Sequence, residues 1–284
     1  MLIALVSGLV AIISPFWGMI FWTVNICDLL RKRTKEANVS FLLFGGAVII
    51  ASAIIRPDTL RVADVLIGVG AATYLFANLY TTLGFKNSFT IYALFQCLYG
   101  FGRKYIFPEA IGQQKEMMIE QLNLSKNLIQ DSNLMQNFAE LESTYLEAIN
   151  IYFNHIEIVW FLPIIFALVI GIVFSRKNPI PKIETLAYKL PDSFVYIMII
   201  GMVLAIFKQT RFIGMPITVT FAVLLIIQGF PIVWFWLLGS TLNNTLLRIL
   251  TYIVILLNFH IFLIISCVVG LIDIWFNLKN GVLK

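Results

Sequence analysis

The sequence predicts an all-α protein, a polytopic bundle of transmembrane helices, and three observations carry that prediction. Sixty per cent of its 284 residues are apolar and only 12% are charged, against about 25% charged in soluble domains. Mean hydropathy is +0.91. The apolar residues gather into runs near the ~20 residues that cross a hydrocarbon layer ~30 Å thick. A soluble protein could not hide so much apolar side chain, because its exterior still needs polar cover. Secreted enzymes, cytosolic enzymes and disordered chains are therefore poor fits.

The first apolar stretch, Leu2 to Leu30, has no basic segment before it and no small-residue cleavage site, so it is expected to be retained. Pro15 lies in its middle. Ser7, Ser14, Asn25 and Asp28 fall within an arc of about 60° at 100° per residue, which favours one helix with a polar stripe over a hairpin. A basic loop follows, Arg31, Lys32, Arg33 and Lys35, and then the runs Phe41–Ile55, Leu60–Tyr80 and Ser88–Phe107. The pairs Ala47 with Ala51 and Gly68 with Ala72 allow close helix approach.

Residues 108–155 form the one long hydrophilic interval, with seven acids against two lysines. Leu134, Phe138, Leu141, Tyr145, Ile149 and Tyr152 recur in it at helical spacing. They predict an amphipathic helix capped at Asp131, Ser132 or Asn133 and lying on the bundle or docking a partner over 113–153. A span over Ile156–Phe174 leads to a second basic loop with Arg176, Lys177, Pro179, Pro181, Lys182 and Lys189. Asp192 or Ser193 is expected to cap the next helix, Phe194–Phe207. A span from Met215 to Leu238 and a polar link, Ser240–Thr245, precede the last stretch, Leu247–Phe276. Its Thr251, Asn258, Ser266 and Asp273 share an arc of about 80°, which reads as one long tilted helix.

The count is about eight spans, or ten short helices if both end stretches are hairpins. The chain reads as a single integral membrane domain over 1–284, with 108–155 as an acidic helical insertion. The net charge of +5 speaks to orientation: both basic loops belong on the cytoplasmic side, which puts the acidic insertion outside. Cys27, Cys97 and Cys267 are widely separated and imply neither a metal site nor a disulfide framework.

Ionisable and polar residues inside spans are costly and are candidates for function. Asp64 stands three residues after Arg61, so the two are expected to pair on one helix face. Gln228 sits mid-span beside Gly229, with Pro231 following; a freed carbonyl and a close approach there suit a polar cavity. Gln228, Asn258 and Asp64 are the candidate ligand-binding residues. His260, without a carboxylate at ligand spacing, reads as a core residue, and His155 and Glu157 as interfacial. No HExxH, GxSxG or Walker-type sequence is present, so no enzymatic activity, metal or cofactor is expected. The basic clusters lack interleaved aromatics, so nucleic acid is not an expected partner.

The last third carries a recurring order of motifs. Leu190-Pro191-Asp192 stands directly before a span, Gln228-Gly229 lies mid-span, and the chain closes on Gly270-x-x-Asp273-x-Trp275-Phe276. Over residues 155–280 this resembles the YybS-like family of uncharacterised bacterial multispanning membrane proteins, with the N-terminal half similar in layout. That family is distantly similar to the substrate-capture subunits of energy-coupling-factor transporters. The resemblance implies a multi-pass protein of the bacterial cytoplasmic (inner) membrane with an intramembrane small-molecule pocket and an ATPase unit as partner. It marks Pro191, Asp192, Gly229, Gly270, Asp273 and Trp275 as family positions. Two functions are expected from these readings: a transport-related subunit binding a small molecule, or a membrane scaffold docking a partner through 108–155.

Overall fold

The computed structural model describes residues 2–30, 34–128, 132–175, 188–239, 249–251, 253–254 and 257–278. The basic residues Arg31, Lys32, Arg33, Arg176, Lys177 and Lys182, the proposed cap Asp131 and the link 240–245 lie outside the described residues. So do the side chains of Asp28, Leu134, Phe138, Leu141, Glu157 and His260. Every described element is helical: α1 Leu2–Ile13, α2 Pro15–Leu30, α3 Thr34–Ile55, α4 Thr59–Ala63, a π-helical segment Asp64–Ala71, α5 Ala72–Ile106, α6 Pro108–Leu128, α7 Ser132–Asn154, α8 Ile156–Phe174, α9 Asp192–Ile206, α10 Arg211–Gly239 and α11 Phe259–Phe276. Their outward faces carry large apolar side chains, among them Leu42, Ile54, Ile206, Phe207 and Ile264. Exposed apolar surface on this scale suits lipid as the surrounding solvent.

Among the described residues, three helical segments are long and apolar enough to cross a membrane, Glu36–Ile55, Thr59–Ile106 and Arg211–Leu237, the second of them folded back on itself as described below. The bent pair Glu142–Asn154 and Ile158–Ile172 makes a fourth if it counts as one span. This corrects the expected eight. A span also needs length, and Leu2–Ile13, Asp192–Ile206 and Ile261–Phe276 are shorter apolar helices. The first stretch is not one helix. Proline 15 cannot donate to the helix ladder and its ring crowds the preceding turn, and the chain folds so sharply there that a methyl on Gly18 would overlap Ala11. Seven residues of straight helix would separate those two by about 10 Å. The last stretch is likewise interrupted, at Asn258, where φ is −113° and ψ 34°.

The 48-residue segment Thr59–Ile106 would be about 70 Å long if straight. It instead reverses at Gly84, whose φ of 72° and ψ of 175° suit a residue without a Cβ. Its partners pair in antiparallel order: Asp64 with Arg103, Gly68 with Gln96, Phe76 with Tyr92. Each arm alone is long enough to traverse the hydrocarbon layer. The break between the runs ending at Tyr80 and starting at Ser88 is therefore a tight hairpin. Around it α1, α2, α3, α8 and α10 form the core, where Trp22 stacks on Phe44 and Gly8 packs against Phe44 and Ala47.

The acidic interval forms two helices, α6 and α7. Ile111 and Ile119 of α6 pack on Ile149 and Phe153 of α7. Of the expected apolar stripe Ile149 is buried, while Tyr145 and Tyr152 are exposed, because α6 covers only one edge of that stripe. Asp192 and Ser193 do not cap α9. The helix begins at Asp192 itself, with Pro191 at the cap position and no side-chain cap bond.

Two contacts fix which ends lie together. Arg61 donates to the carbonyls of Ile12 (3.0 Å) and Ile13 (2.7 Å), which joins the turn at Ser14 to the open end of the hairpin. Tyr188 packs on Phe85 and Phe89 and shares a 2.9 Å hydrogen bond with Thr90 beside the Gly84 reversal, at the other end. Helix α6 thus leaves from the end opposite Tyr188. In a variant with its three cysteines replaced, single cysteines at Glu116 and Asp192 should react with a membrane-impermeant thiol reagent from opposite sides. Labelling of both from one side would contradict this arrangement.

Candidate functional site

The hairpin arms carry the one polar cluster that joins two charges in the bundle core among the described residues. Arg56, at φ 53°, and Pro57 end α3. Asp58 then caps α4, accepting from the Arg61 amide at 2.6 Å. One turn further, Asp64 opens the π-helical segment and is buried. On the returning arm Tyr92, Gln96, Tyr99 and Arg103 recur at steps of four, three and four, so they share one face. That face meets Asp64 and Gly68.

The pair at its centre makes one hydrogen bond and a second close N···O contact. Arg103 Nε lies 2.7 Å from Asp64 Oδ1, and Arg103 Nη2 donates to Asp64 Oδ2 at 2.7 Å. Tyr99 Oη donates to Oδ1 at 3.0 Å. The guanidinium lies 4.5 Å above the Trp160 ring, so its face is also covered. Trp160 Nε1 donates to Gln96 Oε1 at 3.1 Å, and Gln96 Nε2 donates to the Gly68 carbonyl (2.6 Å) and to Tyr92 Oη (2.9 Å). The expected Asp64–Arg61 pair is not formed. Arg61 turns to the carbonyls at the end of α1, and the ion pair joins two arms 39 positions apart in sequence. A helix-face rule sees neighbours three or four positions away and is blind to a hairpin.

At the open end of the hairpin lies a cleft of about 630 Å³ lined by Asp58, Thr59, Tyr105, Phe107, Glu109 and Gln113, among others. Neither Asp64 nor Arg103 lines it; Tyr105 follows Arg103 by two residues and so lies on another face of the same helix.

The other two candidates have separate surroundings. Gln228 is fully buried; its Nε2 donates to Asp273 Oδ2 at 2.8 Å, and its Oε1 accepts from the Leu190 amide at 2.8 Å. It therefore ties α10 to α11 and to the chain before α9. Gly229 and Gly270 form the adjoining crossing of α10 and α11: a methyl on either would overlap a backbone carbonyl, that of Ser266 or of Leu225. Asn258 is exposed and donates to the Val254 carbonyl one turn back. Trp275 is exposed at the end of α11, where Lys189 bonds Asn277. The structure thus joins Gln228, Gly229, Gly270 and Asp273, and does not join them to Asp64. Sequence reading missed Gln96, Tyr99, Arg103 and Trp160. The polar stripe along the second arm was the available signal.

No family model matches the chain, and neither does any curated protein or solved structure.

Proposed function

We propose that the chain is a transport-related subunit of a bacterial cytoplasmic membrane that binds a small molecule at the hairpin, in the cleft at the open end of the arms that carry Asp64 and Arg103. The observation that carries this reading is the ion pair itself, buried in a segment apolar enough to cross a membrane. Burying two charges is costly, and an apolar pair of similar volume often serves stability as well or better. Ionisable residues retained at membrane depth mark ligand or ion paths by default. The cleft volume falls in the ~300–1,000 Å³ range of small-molecule sites. This reading moves the expected pocket away from Gln228, whose amide is already bonded at both ends. It leaves room for a separate ATPase unit as the energy source.

A scaffold role is the second reading, and one observation favours it. Helices α6 and α7 use one edge to hold each other, yet leave Met117, Leu124, Tyr145 and Ile151 exposed.

Native mass spectrometry of gently extracted protein separates the two. A reproducible small-molecule adduct that survives Gln228→Ala and is lost in Asp64→Asn supports the hairpin site. A bare chain with a stoichiometric protein partner, lost on deleting 113–150, supports the scaffold.

A further inference from the structure

The segment Asp64–Ala71 is π-helical, and its position raises a question of hydrogen-bond accounting. In a π turn each amide reaches five residues back; in an α-helix it reaches four. Where the chain returns from one pattern to the other, one carbonyl is skipped. The Ala72 amide takes Ile67 O, five back, and shares Val69 O. The carbonyl between them belongs to Gly68, and it receives the side chain of Gln96 at 2.6 Å. Gln96 reaches it because residue 68 has no side chain: a methyl there would strike the Trp160 ring. The same Trp160 orients Gln96 by donating to its Oε1. Every polar atom of the Gln96 side chain is thus engaged, and all of it is buried. A second support acts two residues on, where Trp22 Nε1 donates to Gly70 O at 3.2 Å.

The π register decides where Asp64 points. A π turn winds one extra residue into about one turn of helix, so its loss rotates everything before it by about 100°. Asp64 stands at the first position of that segment, and its bonds to Arg103 and Tyr99 are made in this register.

We propose that Gln96 is a positioning residue: by holding the skipped Gly68 carbonyl it keeps Asp64–Ala71 in π register and so aims Asp64 at Arg103. Its bearing on a ligand rests on the hairpin site proposed above, but the geometric claim is tested without any ligand.

The test uses the full chain in micelles. Gln96→Met keeps the volume and removes the donor, and should lower the Tm by several degrees. It should also shift the infrared carboxylate band that Asp64→Asn identifies. Deleting Ile67, which is exposed and lies inside the π segment, restores α pairing with both flanks in place, so no carbonyl is skipped. In that background Gln96→Met should cost at most about a third of its original Tm loss, and the Asp64 band should return. An equal loss in both backgrounds, or a band that never moves, overturns the proposal. Should the deletion fail to fold, Gln96→Glu decides instead. A neutral carboxyl donates to Gly68 O and accepts from Trp160, so Glu should stay nearer the parent than Met in both Tm and band. Met matching or surpassing Glu overturns the proposal. Since no ligand enters these readouts, a missing adduct in mass spectrometry would count against the hairpin ligand site alone.

Discussion

Cutting Asp64 back to alanine while leaving Arg103 in place is expected to cost about 3–5 kcal/mol of unfolding free energy. The guanidinium then stays packed on Trp160 and inside the bundle with no carboxylate to meet it. Arg103→Ala should be about as damaging, for the mirror reason. The double variant Asp64→Leu with Arg103→Met removes both charges and keeps most of the volume, so it should regain most of the loss. Denaturant unfolding in micelles reads all three. A loss under about 1 kcal/mol in either single variant would mean that water reaches the pair, contrary to its burial. The double variant has a second use: it should keep the fold and lose the mass-spectrometric adduct, which separates a ligand role from a purely structural one.

The second large effect is expected at the crossing of α10 and α11. Gly229→Ala or Gly270→Ala places a methyl against backbone on the facing helix, 2.6 Å from the Gly270 amide nitrogen in the first case and overlapping Leu225 O in the second. Backbone cannot swing aside as a side chain can, so the helices must part. Overpacking costs about 1–3 kcal/mol and occasionally more. Parting here also stretches the Gln228–Asp273 bond, 2.8 Å long and wholly buried. The expected loss is therefore at or above the top of that range, and either variant should accumulate poorly. Gly45, Gly46 and Gly112 supply the control, since a methyl at any of them meets nothing within 4 Å. Alanine there should be neutral or slightly stabilising, because it reduces the freedom of the unfolded chain. Equal tolerance at Gly270 and Gly45 would contradict the crossing.

Parts of this were legible in the sequence. The motif positions Gln228, Gly229, Gly270 and Asp273 were singled out by their order, and they meet at one crossing. The small pair Ala47 and Ala51 is buried, and Ala47 faces Gly8. The separate runs ending at Tyr80 and starting at Ser88 matched the two arms of the hairpin. What misled was the treatment of each stretch alone. Polar arcs over 2–30 and 247–276 suggested straight helices, because an arc at 100° per residue presupposes the very continuity that Pro15 and Asn258 break. Asn258 shared an arc with Asp273 on that assumption, yet it stands exposed at the start of α11 while Asp273 is fully buried.

The sequence by itself determined that the chain is helical and that its apolar excess suits a membrane. Both follow from quantities that add along the chain: hydropathy, run length and helical period. It also narrowed the costly residues to a few, since a charge inside an apolar run is conspicuous without coordinates. Only the tertiary structure decided how those residues are spent. Asp64 had Arg61 three positions away and Arg103 far along the chain, and helix spacing favoured the first. The reversal at Gly84 brings the second within 2.7 Å, and a buried carboxylate takes the partner that desolvation leaves it. The π register is likewise invisible to any one-dimensional reading. Its one skipped carbonyl, that of Gly68, is held by Gln96 from the returning arm, and Trp22 of another helix donates to Gly70 O beside it.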